Sequence, residues 1–514
     1  MTKTTQHAKR FIVIPRQGMS PSAAGEQAVP LGTGMATALA YKRLRAGPGV
    51  EAATGRSAVV RAADVPGTIV NRSPADGSVL VAGSHVSIDS VKAMAPAGSK
   101  VFEEQWYRLQ RARPWLANGA ALKAPRASAA TSANWSVVVR VADGAGTRLR
   151  DALVTAMVDE ARGIGHEAKT DRFGRVRFGF SARVKRLDVV YVDPLYGGWP
   201  TVVRDVEVAD GELIVEAPPL ELDAADVRGL VYGAARTASG ARVKVGVVDT
   251  GIGRHDALTL AGGRNTTEES PRRFRDEDGH GSHVAGVIAA KAAGWRRGEA
   301  SAVALYAYRI FEAGADEAST FAIAAAIKQA ALDGCDLINL SIGGGPADGA
   351  VEDAIDQAWQ LGCVCVAATG NDGGSQVDYP ARYAKCIAVS AIGLMDSWPA
   401  EAAVDWTLSR WAGKALAGRD SFLASFSNQG AKVVLTAPGV AVLSTIFDNR
   451  WGVMSGTSMA TPVATGVLAR RLTASAVLAM PRNAARAAAI VALAQDHAED
   501  LRLHPRMQGK GLAR

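Results

Sequence analysis

The second half of the sequence predicts an α/β fold, a central parallel sheet covered by helices on both faces. The first half predicts a small α+β unit followed by an all-β sandwich. Three patterns carry this reading. From about residue 227 onward, apolar runs (VKVGVVDT, ALYAYRI, DLINLSI, CVCVAAT, CIAVSAI) alternate with helical stretches, and strands that are apolar at every position are those buried on both faces. Between residues 135 and 220, six short alternating strands are punctuated by turn residues, the signature of two packed sheets. Over residues 11–110 the order is β-α-β-β-α-β, an open sheet with two helices.

In chain order, the first unit (residues 1–110) starts with the strand RFIVIP. A helix near 35–45, short strands at 68–70 and 78–81, a helix at 87–94 and a strand at 100–106 follow. Residues 111–134 are rich in Ala, Pro, Ser and Asn, hold no period and read as a linker. The all-β unit occupies 135–222, with strands WSVVVRV, LVTAMV, GRVRFGF, RLDVVYV, TVVRDVEV and ELIVEA. Residues 223–514 form the α/β unit. Ligands of such sheets bind at the carboxyl ends of strands, where Asp249 and Asn371 fall.

Composition narrows the function classes. Of 514 residues, 48% are hydrophobic and 21% charged, the balance of a globular chain with a sizeable core. The net charge of +8 comes from scattered Arg rather than a stripe, so no nucleic-acid partner is expected. After the basic start MTKTTQHAKR, the apolar run Phe11–Ile14 is too short for a secretory signal. No later run is long enough to span a bilayer. The expectation is a cytoplasmic protein without a membrane segment, export by a signal-independent route being invisible to this criterion. Cys335, Cys363, Cys365 and Cys386 sit in or beside strand-like runs and are expected to be buried free thiols, since CxC without further His or Cys ligands is poor zinc chemistry.

Three motifs carry the chemistry: Asp249 in VKVGVVDTGIG, His280 in DGHGSHVAGVIAA and Ser458 in GVMSGTSMATPVATG. A serine hydroxyl is a poor nucleophile at neutral pH and needs a base within hydrogen-bond reach, itself oriented by a third group. Ser458 heads an apolar helix, where backbone N–H groups and the positive helix end favour developing negative charge. Asp, His, Ser is one of the few chain orders in which such a trio recurs.

Together the motifs resemble the subtilisin-like serine peptidases (subtilases, peptidase family S8), from about residue 227 to the C-terminus. The resemblance implies that Ser458 attacks a peptide carbonyl, His280 shuttles the proton and Asp249 fixes the imidazole tautomer, while His283 is packed. Asn371, at the end of VAATGN, matches the side-chain donor of the oxyanion hole. Ser341, Ile342, Gly343 and Gly344 match the segment along which extended substrate lies as an added strand. Tyr379–Pro380 matches a position that often carries a cis bond. Asp372 and Asp378 fall in the wall and floor of the primary pocket. With Asp378 where a glycine is usual, Arg or Lys is expected before the cut.

No cofactor is expected. The short basic stretch KAAGWRRGEASAV stands where secreted relatives carry an Asn-rich calcium loop, so that calcium site is not expected, and calcium elsewhere is left open. The first unit is similar in order and position to the family's prodomain, a folding chaperone and inhibitor, which implies a latent, self-processing precursor; if the preference for Arg or Lys holds, Lys123 or Arg126 is the expected cut site. The all-β unit looks like transthyretin- or carboxypeptidase-regulatory-like modules, with the turn Thr170, Asp171, Gly174 and Phe178. It and an insertion at 393–423 bearing Trp398, Trp406 and Trp411 are candidate protein-partner surfaces. The partner expected above all is a polypeptide substrate. A rival reading is a catalytically silent peptide- or protein-binding module.

Overall fold

The computed structural model describes residues 9–15, 60, 65–112, 135–180, 184–208, 210–233 and 240–514. The helix expected at 35–45, Lys123 and Arg126 lie outside the described residues.

The first unit is a four-stranded antiparallel sheet in the order β2 (Thr68–Arg72), β3 (Val79–Ala82), β1 (Arg10–Ile14), β4 (Lys100–Glu103), with helix α1 (Ile88–Met94) packed on it. Alternation explains why β1 is apolar from Phe11 to Ile14. Phe11 and Val13 join Val79, Val81 and Val91 in the unit's own core, while Ile12, Ile14 and Leu80 join the core of the α/β unit. The strand expected over 100–106 divides, because after Glu103 the chain leaves the small sheet. Its continuation, β5 (Trp106–Leu109), pairs only with strands of the α/β unit.

The second unit has two sheets. β6 (Trp135–Asp143), β9 (Arg175–Phe180) and β12 (Glu212–Ala217) form one. β7 (Leu153–Asp159), β8 (Ile164–Lys169), β10 (Arg186–Asp193) and β11 (Thr201–Glu207) form the other. Val137, Val139, Phe178, Val190 and Val215 meet between them. At the turn into β9, Asp171 Oδ1 accepts from the N–H groups of Phe173 and Arg175, and Gly174 takes φ +69°.

After α2 (Val227–Tyr232), the eight-stranded sheet of the third unit runs β14 (Leu260–Asn265), β15 (Ala304–Arg309), β13 (Lys244–Asp249), β17 (Leu337–Leu340), β19 (Val364–Ala368), β20 (Cys386–Leu394), β21 (Ser421–Leu423). β22 (Leu435–Pro438) also pairs with β20, and every pairing but β20–β21 is parallel. Val245, Val247, Val364 and Val366 face helices α3 (His280–Ala289) and α6 (Thr457–Thr473). Val248, Ile338 and Ala367 face α4 (Thr320–Leu332) and α5 (Gly349–Gln360). All four cysteines are free and buried, on the α4/α5 face, as the sequence predicts. Short strands β16 (Glu317–Ser319), β18 (Ile342–Gly343), β23 (Val442–Ile446) and β24 (Arg450–Met454) edge the site. No helix among the described residues is long and apolar enough to cross a membrane.

The first unit is bolted to α4 and α5 by a buried charge cluster. Asp76 sits 2.6 Å from Lys328 Nζ, with side chains 2% and 1% exposed, and Lys328 also lies 3.4 Å from Asp353. Burial pushes the Asp76 carboxyl up, but the Lys328 charge and hydrogen bond more than offset it, so its pKa lies below 3.8. A depressed carboxylate stabilises the docked state above its free pKa and loses that contribution as pH falls through the lowered value. That contribution is therefore fully present above about pH 4. In Lys328→Met, Asp76 is left buried without its partner, and undocking should move to higher pH. Hydrogen exchange of residues 10–14 and 79–82 against pH checks this; identical release curves for the two proteins would refute it.

Candidate active site

Three strand ends and two helix starts converge at the carboxyl edge of the sheet. Asp249 closes β13. Its Oδ1 accepts from the Thr250 N–H (2.7 Å) and sits 2.8 Å from His280 Nδ1, both side chains fully buried. His280 Nε2 is left buried, with no hydrogen-bond partner among the described residues. Burial opposes charge on the ring, but the nearby Asp249, its hydrogen bond and Asp278 outweigh it, so the His280 pKa lies above 6.5. His283, one turn on, bonds the Val442 carbonyl through Nε2 at 2.9 Å. Burial holds it well below 6.5, hence neutral and structural.

The turn that delivers His280 is held by a residue that sequence reasoning missed. Asp276 accepts from Thr250 Oγ1, from the Gly279 N–H and from both the N–H and Oγ of Ser282. It ties the residue after Asp249 to the start of α3. The cluster DEDGH offered a signal, but which of its acids turns inward depends on the fold.

Ser458 is the second residue of α6, directly after Gly456 and Thr457. Its Oγ donates to the Ser341 carbonyl at 2.9 Å, and Ser341 Oγ in turn donates to the Ser458 carbonyl at 2.8 Å. Asn339 and Thr465 complete this chain beneath the serine. Asn371, three residues beyond the end of β19, accepts from the N–H and hydroxyl of Thr457 through Oδ1, both at 2.9 Å. Its Nδ2 is left buried and unpaired among the described residues.

Residues 106–112 run through this cleft. β5 lies antiparallel between β16 and β18, so Ile342 and Gly343 hold Leu109 and Arg108 as neighbours. The Gln110 N–H donates to the Ser341 carbonyl (3.3 Å), the Gln110 carbonyl accepts from the Ser458 N–H (3.2 Å), and the Ala112 N–H donates to Ser455 (3.0 Å). Close approach requires glycine beneath: a Cβ on Gly456 would lie 2.5 Å from the Gln110 oxygen.

The Gln110 side chain lies beside Gly343 and Gly344, two glycines that Asp378 also borders. Burial and then the Asp372 charge push the Asp378 carboxyl up to about 7, and Asn428 Nδ2 donates to its Oδ1 at 3.2 Å. Asp372 itself is exposed at the rim. Tyr379–Pro380 is cis, as the sequence predicts. In the insertion, Trp398 and Trp406 pack on Phe422 and Phe426, while Trp411 is 40% exposed. Among the described residues, no group of three or more His, Cys, Asp or Glu side chains could hold a metal ion.

A doubly covered parallel sheet with a buried carboxylate–imidazole pair and a serine at a helix start defines a serine hydrolase. A sequence profile described as the subtilase family matches residues 240–511. Subtilisin DY of Bacillus licheniformis is 38% identical over 237 residues, 45% of this chain and 76% of that protein. Subtilisin Savinase of Lederbergia lenta is 36% identical over 236 residues, 46% of this chain and 77% of that protein. The minor extracellular protease Epr of Bacillus subtilis (strain 168) is 32% identical over 233 residues, and this chain spans 32% of its length. The chain belongs to the subtilase family, the subtilisin-like serine endopeptidases.

Proposed function

We propose that the chain hydrolyses peptide bonds through an acyl-enzyme on Ser458 and is made as a latent precursor that cuts itself between Gln110 and Arg111. One observation carries this: the Gln110 backbone is held as a substrate backbone would be, its N–H on Ser341 and its carbonyl on the Ser458 N–H. A turn about χ1 swings Ser458 Oγ from the Ser341 carbonyl toward His280 Nε2. Oγ attacks the carbonyl carbon as its proton passes to Nε2. The oxyanion is held by the Ser458 N–H and Asn371 Nδ2, and Asp249 stabilises the charged ring. His280 then protonates the leaving amine, and water, activated by the same nitrogen, releases the acid.

Until the cut, β5 fills the groove and the first unit, docked through Asp76 and Lys328, acts as a tethered inhibitor. Intact mass of the purified protein tests the reading. The wild type should yield a fragment ending at Gln110 and a partner beginning at Arg111, and Ser458→Ala should stay whole. An uncut wild type, or cutting only at Lys123 or Arg126, would count against it.

The self-cut follows Gln110, which is neutral, so the expected preference for Arg or Lys before the cut concerns other substrates, and it rests on Asp378. With its pKa at about 7 the carboxyl gains charge as pH rises through neutrality, which favours a cationic side chain increasingly. The ratio of kcat/KM for peptides with Arg against Leu at that position should rise between pH 6 and pH 8. A ratio below one at both values would end the idea.

A further inference from the structure

We infer that the two-sheet unit forms the wall of the cleft on the leaving-group side, and that Asp193, at the end of β10, selects a basic residue as the first one after the cut. The inference rests on the reading of Gln110–Arg111 as the presented bond. In that register Arg111 is the first residue of the leaving group. Its Nη2 lies 2.8 Å from Asp193 Oδ2, with the two side chains only 15% and 19% exposed. A charge-assisted bond so shielded is worth far more than an open surface pair.

The pocket around Arg111 is composite. Tyr191, Asp193 and Thr201 of the two-sheet unit line one side, and Ala403 and Trp406 of the insertion, with Met454, line the other. Neither segment has a counterpart among the triad-bearing elements, which gives both the 393–423 insertion and the all-β unit a role in substrate choice.

The placement of Asp193 is rigid. Two residues on, Leu195 packs against Gly279, where a Cβ would lie 2.7 Å from Leu195 Cδ1, immediately before His280. The Gly197 N–H donates to the Trp451 carbonyl (3.1 Å), the Ala403 N–H donates to the Pro200 carbonyl (2.7 Å), and Arg450 lies 4.0 Å from the Tyr196 ring centroid. Lys169 of β8 reaches Asp278 at 3.5 Å. The carboxylate is thus preset relative to the catalytic histidine, and no ordering is needed when a cation arrives.

Quenched fluorescent peptides test this, sharing Trp-Tyr-Arg-Leu-Gln before the cut and differing only in Arg, Lys, Ala or Glu after it. The purified wild-type protein should favour Arg over Ala by about tenfold in kcat/KM, with Glu slowest. Asp193→Asn should bring the Arg-to-Ala ratio close to one, and Asp193→Arg should turn the preference toward Glu, which mere loss of packing would not do. Hydrolysis with the same profile in wild type and both variants would overturn the subsite alone. A wild type that neither cuts itself nor any of the peptides, and takes no fluorophosphonate adduct on Ser458, would overturn the peptidase reading and the subsite together.

Discussion

Replacing Ser458 by alanine is expected to lower the rate of peptide hydrolysis by about a millionfold, the scale on which nucleophile, base and orienting acid act as one unit. The structure gives a reason for so large an effect. Ser458 is fully buried and is held from below by Ser341, Asn339 and Thr465, so a smaller side chain brings no second nucleophile into line. What survives in Ser458→Ala is the backbone N–H of residue 458 and Asn371 Nδ2, enough to bind and polarise a carbonyl but not to attack it. In the uncut variant that carbonyl is Gln110's own, so β5 keeps the groove and added peptide should not turn over. Kinetics beside intact mass check this, and turnover within a hundredfold of wild type would overturn the assignment.

Asp249→Asn should cost about ten-thousandfold in kcat, and it should also move the pH profile. In the wild type, burial opposes a charged His280, and the Asp249 charge and hydrogen bond outweigh it. The base must be neutral to accept a proton, so kcat/KM should rise as pH climbs through a pKa above 6.5. Without the carboxylate, burial dominates and the acid limb of the profile should shift to lower pH. The amide also favours the tautomer that carries its proton on Nε2, the wrong one for a base. A profile of kcat/KM between pH 5 and pH 9 measures both effects, and an unmoved acid limb would show that Asp249 does not set the charge of His280.

The parts legible in the sequence are those where local pattern and burial coincide. The parallel sheet was readable because its strands are apolar at every position, as strands between two helix layers must be. The CxC pair at Cys363 and Cys365 was readable as buried thiols because a period of two places both on one face, here the α4/α5 face. His283 was separable from His280 by resemblance, and burial with the Val442 carbonyl gives the physical reason. Less legible was the strand over 100–106. It divides because the chain passes from one sheet into another, a choice made by partners more than 200 residues away.

By itself, the sequence determined the doubly covered α/β sheet, the family, and which Asp, His, Ser and Asn stand at the ends of strands and the starts of helices. These follow from side-chain period, apolar content and short motifs, all of which are local along the chain. Only the tertiary structure decided that Gln110–Arg111 lies across Ser458, that Asp276 braces the histidine turn, that Lys328 buries the charge of Asp76, and that Asp193 meets Arg111 beside the cleft. Apart from the Asp276 brace, which closes within the α/β unit, each of these pairs residues from different units. Their encounter depends on how separately folded surfaces dock, and neither spacing nor composition within one segment encodes which distant carboxylate a given cation will meet.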